Sequence, residues 1–363
     1  MTAERRDPED GRHIDAEVGV LEGEAARQAV PDRRGRGEGA VPYGLWPEVP
    51  GERRPDDVTY YDRPVLKEPV WIWAVPAYFY LGGTAGAAAV LGAAAQLDLQ
   101  LRPLVVRCRW VAAVGGAAGS GLLIYDLGRP ERFLNMLRVF RPTSPMSVGS
   151  WVLAAASSLT AGSAILARRR GLLGRLGDLA GLFAGLVGLP LTGYTAVLLS
   201  NTAVPLWQEA RRSLPVAFTA SGMSGAASLL ELMDLDERSE RVVKRFGVLG
   251  KVAEIAAMRA VEREADRVER VGRPLHGGAS GALWRASKAL TGTSLALSIL
   301  GGKRRAVRTA AAVLGTAGAV ALRFAVFHAG KASARDPRAT FHPQREGHGG
   351  AEVTGRPAVT GAR

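Results

Sequence analysis

Three apolar stretches, each without a charged residue, stand out against the polar remainder of the chain: residues 70–97, 142–167 and 179–208. The hydrocarbon core of a bilayer is about 30 Å thick, and a helix needs about 20 residues to cross it. The stretches therefore predict transmembrane helices, because they also lack the alternation of an outer-membrane β-barrel. Pro76 and Pro190, inside the first and third stretches, are expected to kink their helices.

Shorter apolar runs predict the rest of an all-α, polytopic membrane helical bundle. The predicted helices cover residues 70–97, 108–125, 147–167, 179–200, 213–230, 289–302 and 309–330. Residues 240–270 carry an apolar stripe at helical spacing, with charges around the remainder. This segment fits a helix in the membrane interface, or an eighth span in which Lys251 pairs with Glu254. We favour eight spans, since an even number returns both chain ends to one side.

The two ends of the chain differ from this apolar part. Residues 1–67 are dense in Arg, Glu, Asp, Gly and Pro, so they cannot bury enough surface to offset the entropy of ordering. We expect a disordered, charged N-terminal tail over residues 1–67, a transmembrane domain over residues 68–338 and a polar C-terminal tail over residues 339–363.

The formal net charge is +13 at pH 7, which in a soluble protein would suggest nucleic-acid binding. Here many Lys and Arg residues lie at the ends of apolar runs, as in residues 168–170 and 303–305, a pattern typical of membrane topology signals. We therefore expect a lipid bilayer as the partner and no nucleic acid. If the N-terminus lies outside the cell, most basic connections face the cytoplasm, as the positive-inside rule requires. Residues 129–141 are then a basic connection that faces outward, against that rule.

Several motifs resemble those of one family of membrane proteins. They are YFYLGGTAGAAAV in the first predicted helix, YDLGRP after the second, RPTSPMSVGSW before the third, GYTAVLLSNTAVPLW in the fourth and LRFAVFHAGKASARDP near the C-terminus. Together these motifs resemble the polysulfide reductase NrfD family of integral membrane subunits over residues 68–338.

The resemblance implies about eight helices in two four-helix bundles. It also implies a membrane anchor of a respiratory complex that passes electrons between membrane quinone and a ferredoxin-like 4Fe–4S partner subunit. Beyond that partner, such complexes often carry a molybdopterin catalytic subunit of the formate dehydrogenase or polysulfide or thiosulfate reductase type. The chain alone is therefore not expected to be catalytic on the soluble substrate.

The metal-binding residues of the chain are few. Cys108 is the single cysteine, so this chain alone cannot hold an iron–sulfur cluster. Of the five histidines, His328 is the one in a predicted span, so we expect no bis-histidine haem. The abundance of Ala, Gly and Arg suits a GC-rich bacterium, which suggests menaquinone as the quinone and the bacterial cytoplasmic membrane as the location.

Quinone chemistry moves two protons with two electrons, so its site needs hydrogen-bonding groups and a titratable route to water. Tyr194 matches the tyrosine that the resemblance implies at the quinone head group. The start of the first helix is expected to supply the other wall, with Glu68 for proton exchange and Trp71 and Tyr78 beside the ring. That segment, EPVWIWAVPAY, lacks the asparagine and histidine that some family members have there.

Three charged residues, Asp126, Arg129 and Arg323, are candidates for a proton path or for docking. Asp126 and Arg129 can form an ion pair that holds the turn after the second helix. Arg129 and its neighbours Arg132, Arg138 and Arg141 can at the same time present a basic docking face to the iron–sulfur partner or a proton path beside the quinone.

Arg323 lies within the last predicted span, where a charge needs a partner or a water-filled cavity. Glu231 is one possible partner, and a side chain that snorkels to the interface is the alternative.

Two other functions stay open at this point. A secondary transporter or ion channel would use Arg323 and the proline-broken helices as substrate or ion elements. A purely structural membrane anchor would hold an iron–sulfur enzyme without reacting with quinone.

Overall fold

The computed structural model describes residues 13–14, 21–22, 66–301 and 304–340. Residues 1–60 are a unit of their own, in which His13–Ile14 (β1) and Leu21–Glu22 (β2) pair as a short antiparallel ladder. The disordered tail predicted for residues 1–67 and the polar tail predicted for residues 339–363 lie almost wholly outside the described residues, so both stay predictions.

The second unit, which begins at Tyr61, is all-helical in its described part. Its helices are Ala74–Ala95 (α1), Arg102–Asp126 (α2), Pro145–Ile165 (α3), Gly171–Ser200 (α4), Pro205–Glu209 (α5), Ser213–Glu231 (α6), Glu237–Ala265 (α7), Glu269–His276 (α8), Gly278–Leu300 (α9) and Arg305–Arg335 (α10). Short 3₁₀ helices lie at Leu99–Leu101 and Pro130–Leu137. Within this described part, the long helices have 19 to 31 residues.

Local sequence sets where these helices begin. The Ser144 hydroxyl accepts a hydrogen bond from the N–H of Ser147 at the start of α3, and Pro145 occupies the first helical position. The carboxylate of Asp236 caps α7 by accepting from the N–H of Ser239 at 3.1 Å. Hydrogen bonds from the Ser239 hydroxyl and backbone hold the pKa of Asp236 below its usual value.

At one end of the helical unit, ion pairs join helix ends and connections that are distant in the sequence. Arg238 Nη2 lies 2.6 Å from Asp98 Oδ2, which joins the connection after α1 to the start of α7. Arg308 Nη1 lies 2.7 Å from Glu240 Oε2, which joins α10 to α7. We call this end, with its residues Asp98, Arg238, Glu240 and Arg308, the Asp98 end.

The opposite end carries its own polar contacts. Lys331 Nζ lies 3.1 Å from Glu68 Oε1, and the N–H of Ile72 donates to Asp126 Oδ1 at 3.1 Å. We call this end, with its residues Glu68, Ile72, Asp126 and Lys331, the Glu68 end. The long helices therefore alternate in direction between the two ends.

Packing contacts arrange the long helices in two sets. Helices α1, α2, α3 and α4 each contact the next, and α4 returns to α1. Helices α6, α7, α9 and α10 close in the same way, and α1 and α4 contact α6 where the sets meet. Buried apolar residues form one cluster toward the Glu68 end, around Trp207 and Phe218, and one toward the Asp98 end, around Leu104 and Leu230.

Four of the described helices are long and apolar enough to cross a membrane: α1, α3, α4 and α10. The outer face of α4 is a row of exposed apolar side chains. Leu179, Leu182, Phe183, Leu186 and Leu189 are between 45% and 62% exposed. A continuous apolar surface of this kind is rare on soluble monomers and fits contact with lipid.

Three helices begin at least six residues earlier than the sequence predicted. Helix α2 begins at Arg102 rather than at residue 108, α4 at Gly171 rather than at residue 179, and α9 at Gly278 rather than at residue 289. The charges near the predicted starts of α2 and α4 belong to these helices and pair with one another, because Arg102 and Arg109 both donate to Asp178.

The two prolines lie in different helical positions. Pro76 lies in the first turn of α1, where a backbone N–H has no intrahelical acceptor, so it breaks no helical hydrogen bond there. Pro190 lies inside α4, as predicted.

Helix α7, the segment with two possible placements, packs between α6 and α9 rather than lying on the surface of the unit. Its Lys251 and Glu254 side chains are fully buried.

Candidate functional site

Tyr194 lies on α4 near the Glu68 end, and its ring packs against Gly149 of α3. A Cβ on Gly149 would overlap the Tyr194 ring, so the absence of a side chain at Gly149 makes room for it. The Tyr194 hydroxyl is buried beside the Gly149 backbone and has no side-chain hydrogen-bond partner among the described residues. Because a hydroxyl can donate as well as accept, it keeps the capacity to bond another molecule.

Tyr78 lies on α1 at the same end and is 8% exposed. Its ring packs over Gly119 of α2, where an added Cβ would come within 3.1 Å of it. Tyr78 and Tyr194 therefore both belong to the first set of helices and lie toward the Glu68 end.

Trp71, just before α1, stacks on Trp207 of α5 with ring centroids 6.2 Å apart and an interplanar angle of 17°. Trp207 is fully buried, and its Nε1 donates to the carbonyl of Val326 at 2.9 Å. A Cβ on Gly330 of α10 would fall inside the Trp207 ring. Trp71 therefore packs against a fixed aromatic anchor at the Glu68 end.

Glu68 lies between two cations of α10. Arg335 Nη2 donates to Glu68 Oε1 at 2.9 Å, and Lys331 Nζ lies 3.1 Å from the same oxygen. Partial burial acts to raise the pKa of Glu68, but hydrogen bonds from Arg335 and Lys331 and their charges outweigh burial. The pKa of Glu68 therefore lies below its usual value, and the carboxylate is ionised at neutral pH.

Asp126 has a partner other than the one proposed from the sequence. Its carboxylate accepts from the N–H of Ile72, which fixes the chain before α1 to the end of α2. Among the described residues it forms no ion pair with Arg129, whose side chain is exposed. Arg138 and Arg141 are exposed in the same connection, and the side chain of Arg132 lies outside the described part.

Arg323 is buried in α10, at 1% exposure, and Glu231 is not its partner. Its Nη2 donates to the carbonyl of Phe218 at 2.8 Å, and its guanidinium lies 3.8 Å from the centre of the Phe218 ring. Glu254 interacts with Arg323 electrostatically, whereas Glu231 lies 3.9 Å from Lys251 Nζ. The side chain is too deeply buried to snorkel, so that alternative is also excluded.

A family model described as "Polysulphide reductase, NrfD" matches residues 65–262, which is more than half of the 363-residue chain. The chain belongs to the NrfD family. This NrfD match runs from just before Glu68 to the last turn of α7 and includes Tyr78, Asp126, Arg129 and Tyr194. A search of curated proteins found none that matches the chain.

NrfD membership, together with the four helices of spanning length, makes this chain a multi-pass membrane protein. It also identifies the chain as a membrane subunit of a respiratory oxidoreductase. The NrfD match ends before α9 and α10, so Arg323 and the partners of Glu68 on α10 lie outside it. Among the described residues, no group of three or more His, Cys, Asp and Glu side chains could hold a metal ion.

Sequence reasoning missed two contacts of this NrfD chain. Trp207 stood in a quoted motif but received no role, although the stack with Trp71 holds the start of α1 in place. The pairing of Arg109 with Asp178, at 2.7 Å, was missed because the helix that carries Asp178 was predicted to begin only at residue 179. The available signal was that Arg109 lies at helical spacing from the apolar residues Val105 and Ala112, on the buried face of α2.

Proposed function

We propose that this NrfD chain is the membrane anchor and quinone-reactive subunit of a respiratory oxidoreductase complex. It passes electrons between membrane quinone and a ferredoxin-like 4Fe–4S partner subunit, beyond which a molybdopterin subunit acts on the soluble substrate. The observation that carries the quinone assignment is the Tyr194 hydroxyl, which is buried next to the Gly149 backbone and lacks a side-chain hydrogen-bond partner among the described residues, at one end of the membrane domain.

The proposed arrangement in the membrane uses all eight long helices. Helices of 19 to 31 residues rise about 29 to 47 Å at 1.5 Å per residue, which reaches across a hydrocarbon core of about 30 Å. The two sets of packed helices then form two four-helix bundles. Charged α7 is tolerated as a span because its Lys251 and Glu254 face the bundle interior.

The residues of the Glu68 end fit a quinone head group. The Tyr194 hydroxyl is a donor for a ring oxygen, and a second tyrosine, Tyr78, lies on α1 toward the same end. When bound, quinone supplies the transfer of two electrons with two protons. Glu68, held ionised by Lys331 and Arg335, has no proton to give to quinone at neutral pH. It can accept one from quinol only against the two cations that lower its pKa, so we assign it a proton-exchange role through release to water.

The connection between α2 and α3 fits the docking face. Arg129, Arg138 and Arg141 are exposed there, and Phe140 and Leu134 are 56% and 69% exposed. Interfaces combine apolar centres with charged rims, so this surface suits an acidic partner with an apolar patch. It lies at the same end as Tyr194, which would keep the distance from cluster to quinone short.

The positive-inside rule extends the proposal to orientation. The Asp98 end carries the basic connections near residues 102–109, 168–175 and 303–308 and is therefore assigned to the cytoplasm. The quinone site and the docking face then lie toward the outer side of a bacterial cytoplasmic membrane. We propose menaquinone as the quinone, because the abundance of Ala, Gly and Arg in the chain is typical of a GC-rich bacterium.

A second candidate is an anchor without quinone chemistry. It is favoured by one observation at the start of α1, where Glu68 is already engaged with Arg335 and Lys331 and Trp71 with Trp207. On this alternative, these residues only hold the Glu68 end together.

Quinone binding to the purified complex separates the two candidates. A fluorescent quinol-site inhibitor is titrated into the parent complex and into Tyr194→Phe and Gly149→Ala. The Tyr194→Phe change removes one hydrogen bond and should weaken binding by up to about tenfold. Gly149→Ala keeps the hydroxyl but displaces the ring, so it should weaken binding as well.

The matched controls are Tyr125→Phe, an exposed tyrosine of α2, and Gly162→Ala, a position on α3 where an added Cβ meets nothing within 4 Å. Both controls should bind as the parent does. Equal affinity in all five complexes would remove Tyr194 from the site. Absence of binding in the assembled parent would identify the chain as a structural anchor.

A further inference from the structure

A set of buried polar side chains runs along the inside of the second set of helices. We call it the polar column and define it by Glu231, Ser228, Ser224, Lys251, Glu254 and Arg323. Glu231, Ser228 and Ser224 recur at spacings of three and four residues, which places them on one face of α6. Lys251 and Glu254 are three residues apart on the inner face of α7.

Four members of the polar column are ionisable and almost completely buried. Lys251 and Glu254 have no exposed surface, and Glu231 and Arg323 are 6% and 1% exposed. Charged groups at such depth in a membrane protein are costly and usually mark an ion pathway or a relay. Their cost is not removed by pairing, since the closest ion pair, Lys251 with Glu231, is 3.9 Å long.

Several polar atoms of the column have too few partners among the described residues, although Lys251 donates to the Ser298 hydroxyl at 3.0 Å. The carboxylate oxygens of Glu254 are buried with only the hydroxyls of Ser221 and Ser224 near them and no hydrogen bond of normal geometry, and Nε and Nη1 of Arg323 have no partner there. The hydroxyls of Ser224 and Ser228 are in the same condition. Buried polar groups are almost always bonded to protein or to ordered water, so the geometry indicates water between these side chains.

The column opens toward the Asp98 end. Glu231 is the last residue of α6, and the pair formed by Glu240 and Arg308 lies beyond it. The side chains of Glu240 and Arg308 are 30% and 26% exposed, so water reaches this mouth. Lys244 also contributes to the field at Glu231.

The column closes toward the Glu68 end. Arg323 is stacked on Phe218, and beyond it lie Trp207, Met258 and Trp284. All four of these apolar side chains are at most 1% exposed and belong to one core cluster. The polar column is therefore open to water at the Asp98 end and closed by large apolar side chains at the Glu68 end, so protons can enter it from one side only.

The chemistry of the column selects a proton as its ligand. The two carboxylates balance the two cationic side chains, so a metal ion would meet Lys251 and Arg323, and an anion would meet Glu231 and Glu254. The groups that face Glu254 are Lys251 on its own helix, Arg323 from α10 and the hydroxyls of Ser221 and Ser224 from α6. A proton binds a buried carboxylate without needing additional volume.

We propose that the polar column is a one-sided proton path from the Asp98 end to Glu254. Hydronium from the aqueous phase gives its proton to a Glu254 carboxylate oxygen through the waters of the column, an O–H bond forms there, and water is left behind. The proton returns by the same route, and no electron is transferred. This exchange is independent of whether the chain binds quinone.

Thiol accessibility tests the path without an activity assay. Cys108 is the only cysteine, so in a Cys108→Ala background single cysteines at Ser224 and Ser228 are unique in this chain. The complex is placed in liposomes and exposed on one side to silver ion, a thiol reagent of about the size of hydronium. Remaining thiols are counted on their peptides by mass spectrometry. Arg169→Cys, exposed at the Asp98 end, reports the orientation.

The matched control is Ala217→Cys, which lies on the same helix with 1% exposure but within the apolar cluster. We expect silver from the Asp98 end to react with cysteines at 224 and 228 at least roughly tenfold faster than with the cysteine at 217. Equal rates at the three positions, or faster reaction from the Glu68 end, would overturn the one-sided path.

Infrared spectroscopy tests the proton-binding residue. In the parent complex, a carboxylic acid band should appear as the pH falls and shift in deuterated water. Glu254→Gln should remove this band, whereas Glu262→Gln should leave it, because Glu262 on the same helix is paired with Lys288 outside the column. A parent without such a band, or a band that survives Glu254→Gln, would contradict the assignment.

Discussion

Asp178 joins two arginines of α2 at the Asp98 end, and its removal should destabilise the first set of helices. Its Oδ1 accepts from Arg109 Nη2 at 2.7 Å and from Arg102 Nη1 at 2.5 Å. Arg109 is 3% exposed, whereas Arg102 is 40% exposed. Asp178→Ala would leave the buried guanidinium with neutral acceptors, the Gln96 side chain and the carbonyl of Ser163.

The expected cost follows from these exposures. Breaking a fully buried ion pair costs about 3–5 kcal/mol, but Asp178 is itself 40% exposed, so water can reach part of the site. A hydrogen bond to a charged group contributes about 1.5–3 kcal/mol. We therefore expect Asp178→Ala to cost about 2 kcal/mol, which is roughly a 30-fold change in the opening equilibrium. Arg102→Gln, the control, loses an exposed pair worth at most about 1 kcal/mol.

Cys108 supplies the assay because it is fully buried in α2 and precedes Arg109. Its thiol reacts with a maleimide only when α2 separates from its neighbours, so the labelling rate reports the opening equilibrium. Asp178→Ala should label roughly 30-fold faster than the parent, and Arg102→Gln no more than about fivefold faster. Labelling of Asp178→Ala at the parent rate would refute the reasoning, since the buried charge would then not depend on its carboxylate.

Two further predictions concern the Glu68 end. The fold lowers the pKa of Glu68 below its ordinary value of 4.5. Its ion pairs therefore stabilise the protein above pH 4.5 by up to about 1 kcal/mol, and this contribution is lost as the pH falls through the lowered pKa. Melting temperatures measured from pH 7 to pH 3 should therefore fall less steeply in Glu68→Gln than in the parent, and parallel curves would contradict the assignment. Gly330→Ala should cost about 1–3 kcal/mol by forcing the Trp207 ring to move, whereas Gly292→Ala, in open space on α9, should not destabilise the helix. Thermal denaturation of both variants checks this, and equal melting temperatures would show that the ring is not confined.

The apolar pattern of the sequence was enough to predict a membrane-type helical protein. Stretches without charge coincide with α1, α3 and α4, because a helix in lipid must be apolar on its outer face. The pattern failed where charges lie inside the fold. Helices α2 and α4 begin at Arg102 and Gly171, six and eight residues before the predicted starts, because Arg102 and Arg109 pair with Asp178.

The candidate site was partly predictable for a related reason. Family motifs pointed to Tyr194, but the room for its ring depends on Gly149 of another helix. Partners of buried charges are set by packing between helices distant in sequence. Proximity along the chain therefore suggested Arg129 as the partner of Asp126. In the fold, the Asp126 carboxylate instead accepts a hydrogen bond from the N–H of Ile72.

The central claim is that quinone binds between the helices that carry Tyr194 and Tyr78, and photoaffinity labelling tests it most directly. The intact complex is illuminated with an azido-quinone, and the labelled peptides of this chain are identified by mass spectrometry, with excess unlabelled quinone as the competitor. The account predicts competed labelling of peptides from α4 near Tyr194 and from α1 near Tyr78. Competed labelling confined to other helices, or to the partner subunits, would contradict it.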